Sequence, residues 1–286
     1  MHAPRFRNSL VGILLMWFSL PIISAQSSSS APDLTKPAID SAANSAQAKY
    51  VLQRTINALG GNQYLNVTEI KILGRGYGFY HNESQSVGNK FTRYIRFPDR
   101  ERFEYNFQRD DYQVIRPESW FVIHIGDTGW ETTFKGTRIL TEKENEDYDR
   151  RRQYELDMVL RKWVPDPKTT FFYEGQTIEA TREVYKVTLL SPQNLNVTLY
   201  VDRKTFLPIK KTFKYRDKVF KDIQEESELY DKYRDEQGLM TPHVYTRTMN
   251  GEITSERFVQ SVIYNPGFDD RLFTPHAIDY DKMKKY

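Results

Sequence analysis

The chain has no cysteine. That absence excludes disulfides, thiolate zinc sites and thiol nucleophiles together, and it removes the residue on which a bacterial lipoprotein anchor is built. Histidine is scarce, with five in all. His2, His81, His124, His243 and His276 are scattered, and no two stand at metal-ligand spacing. His124 alternates with Trp120 and Val122 and reads as a satisfied, buried histidine. No Gly-X-Ser-X-Gly elbow or phosphate-binding glycine loop is present. The carboxylate pairs Asp110-Asp111 and Asp269-Asp270 fall at turn sequences, where Asp is favoured for local hydrogen bonding, whereas a glycosidase pair must face across a cleft. Net charge is small, with 41 basic against 38 acidic residues in 286, so there is no electrostatic footprint for nucleic acid. The sequence assigns no catalytic residue, no metal ligand and no cofactor.

A membrane-spanning run is also lacking. The apolar stretch 10–23 is 14 residues long, short of the roughly 20 that a spanning helix needs. Arg5 and Arg7 precede it and Ile23-Ser24-Ala25 follows, so residues 1–25 read as a cleaved secretory signal; an uncleaved anchor is the other reading. The expected location is periplasmic or secreted, without a lipid anchor. Residues 26–45, rich in Ser, Ala and Pro, read as a flexible leader. Residues 276–286 have no period and read as a poorly ordered tail. The sequons at Asn66, Asn82 and Asn196 matter only in a glycosylating host. Residues 46–275 are long enough for one β domain with its own core.

Strand signals fill that domain. Residues 196–201, 206–215, 219–230, 241–249 and 252–264 are five β-rich runs. Asp202-Arg203-Lys204-Thr205 and Arg216-Asp217-Lys218 turn the first three, and Asn250-Gly251 turns the last two into a hairpin. Such a meander builds a curved antiparallel sheet. Further upstream, residues 91–97 and 102–108 form a hairpin in which Phe91, Ile95 and Phe97 share one face and Phe103, Tyr105 and Phe107 share one face of the partner. Residues 112–115 and 120–125 form another pair, and the second of these is apolar on both faces. Gly74, Gly76 and Gly78 strip side chains from one face of an early strand. This reads as sheet curvature, with close approach of a ligand or helix as the alternative.

Two helices are expected. Val51, Leu52, Thr55, Ile56 and Leu59 repeat at helical spacing, and Gly60-Gly61 closes that helix. The second is an internal helix over 142–163. Acids crowd its start and Arg161 and Lys162 its end, matching the macrodipole. Glu146–Arg150, Asp147–Arg151 and Asp157–Arg161 are candidate i,i+4 pairs. Leu156, Val159, Leu160 and Trp163 form an apolar stripe on its second half only. Such a helix packs on the sheet at one end and meets solvent at the other, either as core cover or as a movable lid over a cavity. Aromatic residues make up 14% of the chain. On a concave sheet face they suit apolar or carbohydrate ligands.

The order of motifs resembles the periplasmic lipoprotein-carrier superfamily, especially the outer membrane lipoprotein-sorting relatives. The resemblance rests on Ala58-Leu59-Gly60-Gly61, Gly126-Asp127-Thr128-Gly129-Trp130, the stretch 201–208 (VDRKTFLP), Gly238-Leu239-Met240-Thr241-Pro242 and the stretch 265–273 (NPGFDDRLF). It spans about residues 46 to 275. It implies a mainly β fold with helices, an unclosed antiparallel β-barrel wrapped around a few helices with a cavity between. It further implies a non-enzymatic carrier of lipid or acylated ligands in the cell envelope, whose partners include membrane-bound donor or acceptor proteins. Ile95, Phe103, Tyr105, Trp120, Val122, Leu156, Val159, Leu160 and Trp163 are the expected lining residues. An envelope-stress sensor or protein-binding scaffold is the alternative, and a hydrolase a third.

Overall fold

A computed structural model describes residues 41–85, 88–105, 119–218 and 220–276. The expected signal, most of the leader, the strand 112–115, Asp110-Asp111, Phe107 and nearly all of the tail lie outside the described residues. Helix α1 (Ser41–Leu59) begins inside the stretch expected to be leader. It buries Val51, Leu52, Thr55, Ile56 and Leu59, the stripe its spacing defines. Two amides then close its end, Gly60 N–H to Asn57 C=O at 3.2 Å and Gly61 N–H to Ile56 C=O at 2.9 Å. Both glycines have positive φ, the conformation such a cap requires. A single turn, α2 (Asn62–Leu65), follows.

The strands are β1 (Glu69–Tyr80), β2 (Glu83–Ser84), β3 (Asn89–Arg96), β4 (Arg100–Tyr105), β5 (Trp120–Ile125), β6 (Thr128–Thr133), β7 (Gly136–Ile139), β8 (Thr170–Glu179), β9 (Arg182–Leu190), β10 (Asn196–Asp202), β11 (Pro208–Arg216), β12 (Ile223–Asp231), β13 (Arg234–Glu236), β14 (Leu239–Thr241), β15 (Val244–Met249) and β16 (Glu252–Tyr264). Among the described residues, 14 strands form one antiparallel sheet ordered β7-β6-β5-β4-β3-β1-β16-β15-β12-β11-β10-β9-β8, with β2 paired to β1 alone. The sheet is curved and unclosed, as the resemblance implied. Its free edges are β7 and β8, and β13 pairs with β14 apart from it. First strand meets last in the middle: Ile70 stands opposite Tyr264 and Gly78 opposite Ser255, with a bulge between Leu73 and Gly74. The Asn250-Gly251 turn has φ of 50° and 87°, the doubly left-handed geometry of the tightest hairpins.

The concave face is filled unevenly. On the β8–β11 side, α1 presses Val51, Leu52 and Ile56 against Phe171, Val187, Leu189, Val197, Leu199 and Val201 in one buried cluster. Each such side chain contributes about 1.5–3 kcal/mol by leaving water. The β1–β7 side has no comparable helix among the described residues.

What covers that second half is the connection from β7 to β8. These are opposite edges, so the chain must cross the whole sheet to join them, and it does so over the concave side. The single helix expected over 142–163 is in fact broken. Helix α3 (Glu142–Gln153) starts with a capping box: Glu144 N–H donates to Thr141 Oγ1 at 3.3 Å and Thr141 N–H to Glu144 Oε2 at 2.7 Å. It stops at Tyr154. A short turn, α4 (Leu156–Met158), follows, and then a wide π-type turn (Val159–Trp163) in which Val164 N–H reaches the Val159 carbonyl at 3.1 Å. The cause of the break is tertiary. Tyr154 is buried flat against Phe213, with ring centroids 3.9 Å apart, and Glu155 drops into an ion-pair network with Arg93 and Arg152.

None of the three expected i,i+4 pairs forms. Glu146 binds Lys218 at 2.6 Å, and Asp147 binds Lys143 at 2.9 Å and Arg150 at 2.8 Å. Asp157 accepts from the Tyr64 hydroxyl at 2.9 Å, and Arg161 donates to the Leu65 carbonyl at 2.8 Å.

Candidate functional site

Strand register fixes which side chains face α3. Residues opposite one another share a face, and alternate residues switch faces. Gly74 pairs with Phe91, Phe91 with Tyr105, Arg93 with Phe103, and Tyr105 with Trp120. Phe103 pairs with Val122, Glu101 with His124, and Gly76 with Arg257. Tyr245 pairs with Arg257, Arg247 with Glu228, and Glu228 with Lys211. These residues form one continuous concave row. Between it and α3 lies a cavity of about 620 Å³.

One wall of the cavity is aromatic. Phe91, Phe103, Tyr105 and Trp120 form a ladder with successive centroids 5.3, 4.5 and 4.0 Å apart. Val122 extends it. Gly76 and Gly78 open its floor: a Cβ on Gly78 would meet nothing within 4 Å, and one on Gly76 would come no nearer than 3.8 Å. Gly74 has another role. A Cβ there would lie 2.5 Å from the Phe258 carbonyl and 2.9 Å from the Phe91 ring, so it admits the bulge and the Phe91 ring.

The other wall is charged. Arg93 grips Glu101 through two bonds of 2.8 Å and also binds Glu155, which takes Arg152 at 2.6 Å. The Tyr148 hydroxyl donates to Glu101 at 3.2 Å. Behind Arg247 and Arg257, and outside the lining of this cavity, Glu228 serves Arg257 at 2.6 Å, Lys211 at 3.0 Å and Arg247 at 3.4 Å. Burial alone would raise the Glu155 carboxyl, but Arg93, Arg152 and Lys211 override it and hold it at about 2. Burial opposes the same outcome at Glu228, where Lys211, Arg247 and Arg257 hold the carboxyl well below its ordinary range. Charged groups in so enclosed a place are stable only when paired in this way.

His124 is buried and stacks face to face on Tyr148 of α3, with centroids 3.4 Å apart and planes 5° from parallel. Burial pushes its imidazole down to about 4, so the ring is neutral at ordinary pH. It is not the satisfied histidine expected from the sequence, because its Nε2 has no hydrogen-bond partner. A further charge stands apart: Arg151 of α3 lines the cavity, is exposed to solvent, and its side chain makes no hydrogen bond or ion pair with a described residue.

Of the residues expected to line a cavity, Phe103, Tyr105, Trp120 and Val122 line this one. Ile95 and Leu156 line a second, smaller cavity of about 100 Å³ beneath α4. Val159 and Leu160 are fully buried in the core and line neither. Trp163 packs on the edge of that core. The charged wall went unforeseen. Its signal was present, since Glu101 has the same parity as Phe103 and Tyr105.

No protein-family model and no curated protein matches the sequence. Solved structures do match. A domain from Vibrio parahaemolyticus named for outer membrane lipoprotein sorting aligns at 11% identity and TM-score 0.52, over 85% of this chain and all of that one. A DUF1329 family protein from Desulfovibrio piger aligns at 12% identity and TM-score 0.54, over 79% of this chain and 97% of that one. No described helix is long and apolar enough to cross a membrane. At such identities the likeness is one of architecture: the chain shares the unclosed, strongly curved antiparallel fold of these two structures.

Proposed function

We propose that the protein is an exported binding protein that carries lipid or another acylated ligand through the cell envelope. The ligand lies in the cavity between the concave sheet and α3. The observation that carries this reading is the vacant half of the concave face, where an aromatic ladder and a strip of glycines stand opposite a covering helix. A volume of about 620 Å³ falls in the range of roughly 300–1,000 Å³ usual for small-molecule sites. An acyl chain gains about 0.8 kcal/mol per buried methylene. Association itself costs on the order of 4–15 kcal/mol. A ligand is therefore retained only when most of its chain is covered, so the carrier reading requires the chain to lie along the aromatic wall beneath α3. The role is binding, and no step in it needs a catalytic group. Membrane-bound donor or acceptor proteins would load and unload the carrier.

The alternative, a scaffold that takes a partner strand on its sheet edge, has less support. At β8 the Asn44 side chain of α1 bonds both backbone groups of Tyr173, at 2.7 and 2.9 Å. A bulge between Tyr173 and Gln176 bends the same strand. Both features blunt an edge.

The test is native mass spectrometry of protein purified from its own periplasm. The expected spectrum contains a bound lipid, and the protein gains thermal stability with acylated ligands. Protein that is empty and indifferent to such ligands would refute the carrier role. Co-purification with an envelope protein and no lipid would favour the scaffold.

A further inference from the structure

The charged wall is an odd lining for a purely apolar guest. Its Arg93, Arg152, Glu101 and Glu155 satisfy one another. Beyond them the balance is cationic. Glu228 is the carboxylate shared by Lys211, Arg247 and Arg257. Arg151, exposed at the rim of the same space, has no ion pair of its own: Asp147, one turn earlier, is taken by Lys143 and Arg150, and Glu226, the other carboxylate whose field reaches it, stands 3.7 Å from Arg150.

The other acids of the lining are committed as well. Glu131 and Glu144 are both held by Arg138, at 2.7 Å each. Glu256 occupies the alternate position to Arg257 on β16, so its side chain belongs to the opposite face of the sheet, where it accepts from Thr246 at 3.2 Å.

Resting on the carrier reading, the geometry points to an anion-binding subsite formed by Arg151 with Arg247 and Arg257, so that the guest is an amphiphile with a carboxylate or phosphate head. The apolar tail lies along Phe91, Phe103, Tyr105 and Trp120, and the head sits against the guanidinium groups. A planar guanidinium offers paired N–H donors that match the oxygens of either head. Although part of Arg151 is exposed, desolvation of its inner side and then repulsion from Arg247 lower its pKa, against the attraction of Glu226 and Asp147.

The experiment is calorimetric titration of the mature protein with palmitate, with its neutral glycerol monoester, and with inorganic phosphate. Wild type and the variants Arg151→Gln and Arg151→Lys are compared. Arg151 bonds to no described residue, so both variants should fold. Palmitate should bind wild type about tenfold or more tighter than the neutral ester, the difference a charge-assisted contact makes. Arg151→Gln should abolish that preference without weakening the ester, and Arg151→Lys should restore part of it.

Equal affinity for palmitate and ester in wild type would overturn the subsite while leaving the carrier role intact. So would a preference that survives in Arg151→Gln. Inorganic phosphate binding as tightly as palmitate and depending on Arg151 would overturn the amphiphile in favour of a free anion. Failure of both palmitate and ester to bind would sink the carrier reading and the subsite with it.

Discussion

Three glycines show how differently the same residue can be required. Gly60 ends α1 at φ 130°, and a Cβ there would stand 2.4 Å from Leu239 Cδ2. Gly60→Ala is therefore expected to cost more than about 1 kcal/mol through backbone strain and collision together, measured as a lower urea midpoint. Gly74 is fixed by its collision with the Phe258 backbone. Gly78 has space around it and no positive φ. Gly78→Leu should leave the urea midpoint nearly unchanged and weaken binding of an acylated probe about tenfold or more by filling the cavity floor. A variant that binds as tightly as wild type would mean that the ligand lies elsewhere. In sequence the three look alike, and only their neighbours across strands separate them.

At the scale of elements, the readable features were those with local causes. The α1 stripe, its glycine cap and the Asn250-Gly251 hairpin are written in spacing and turn chemistry. Strand parity around Phe103, Tyr105, Trp120 and Val122 followed from alternation, and all four share the concave row. The break at Tyr154 had no local sign. It depends on Phe213 and Arg93, both remote in the chain, and it separates the continuous helix expected from sequence into α3 and the turns after it. The break touches only the expected Asp157–Arg161 pair; Glu146–Arg150 and Asp147–Arg151 lie within α3, where Lys218, Lys143 and Arg150 take the carboxylates instead. Where α3 begins, however, the cause is again local. Thr141→Ala removes the Oγ1 that accepts the Glu144 amide and should cost about 1 kcal/mol. Hydrogen exchange should report the loss as faster exchange at the first turn of α3, with the amides of β10 and β11 unchanged. Uniform acceleration throughout would show that α3 does not open by itself.

For the whole molecule, acid should weaken the fold in two stages. His124 titrates near 4 when folded and near 6.5 when unfolded, so the unfolded chain takes up the proton first. The neutral ring contributes stability that is complete above about 6.5 and lost as pH falls toward 4, on the order of 3 kcal/mol. Glu101, Arg151 and Arg93 are the charges that act on it. Below about 4.5 a second loss begins as Glu155, folded near 2, takes up its proton more readily in the unfolded chain. In His124→Phe the ring stack on Tyr148 is kept and the proton site is gone. Urea midpoints measured across this range should then fall less between pH 6.5 and 4 than in wild type. Equal slopes in the two proteins would show that another group controls the first stage.

The segment from β7 to β8 spans the breadth of the sheet because its ends are fastened to opposite margins. It works as a strap. A shorter strap would draw the margins together and curl the sheet more tightly, and a longer one would let them part. Insertions or deletions after Leu140 or before Thr170 would thus tune guest size without altering a single strand.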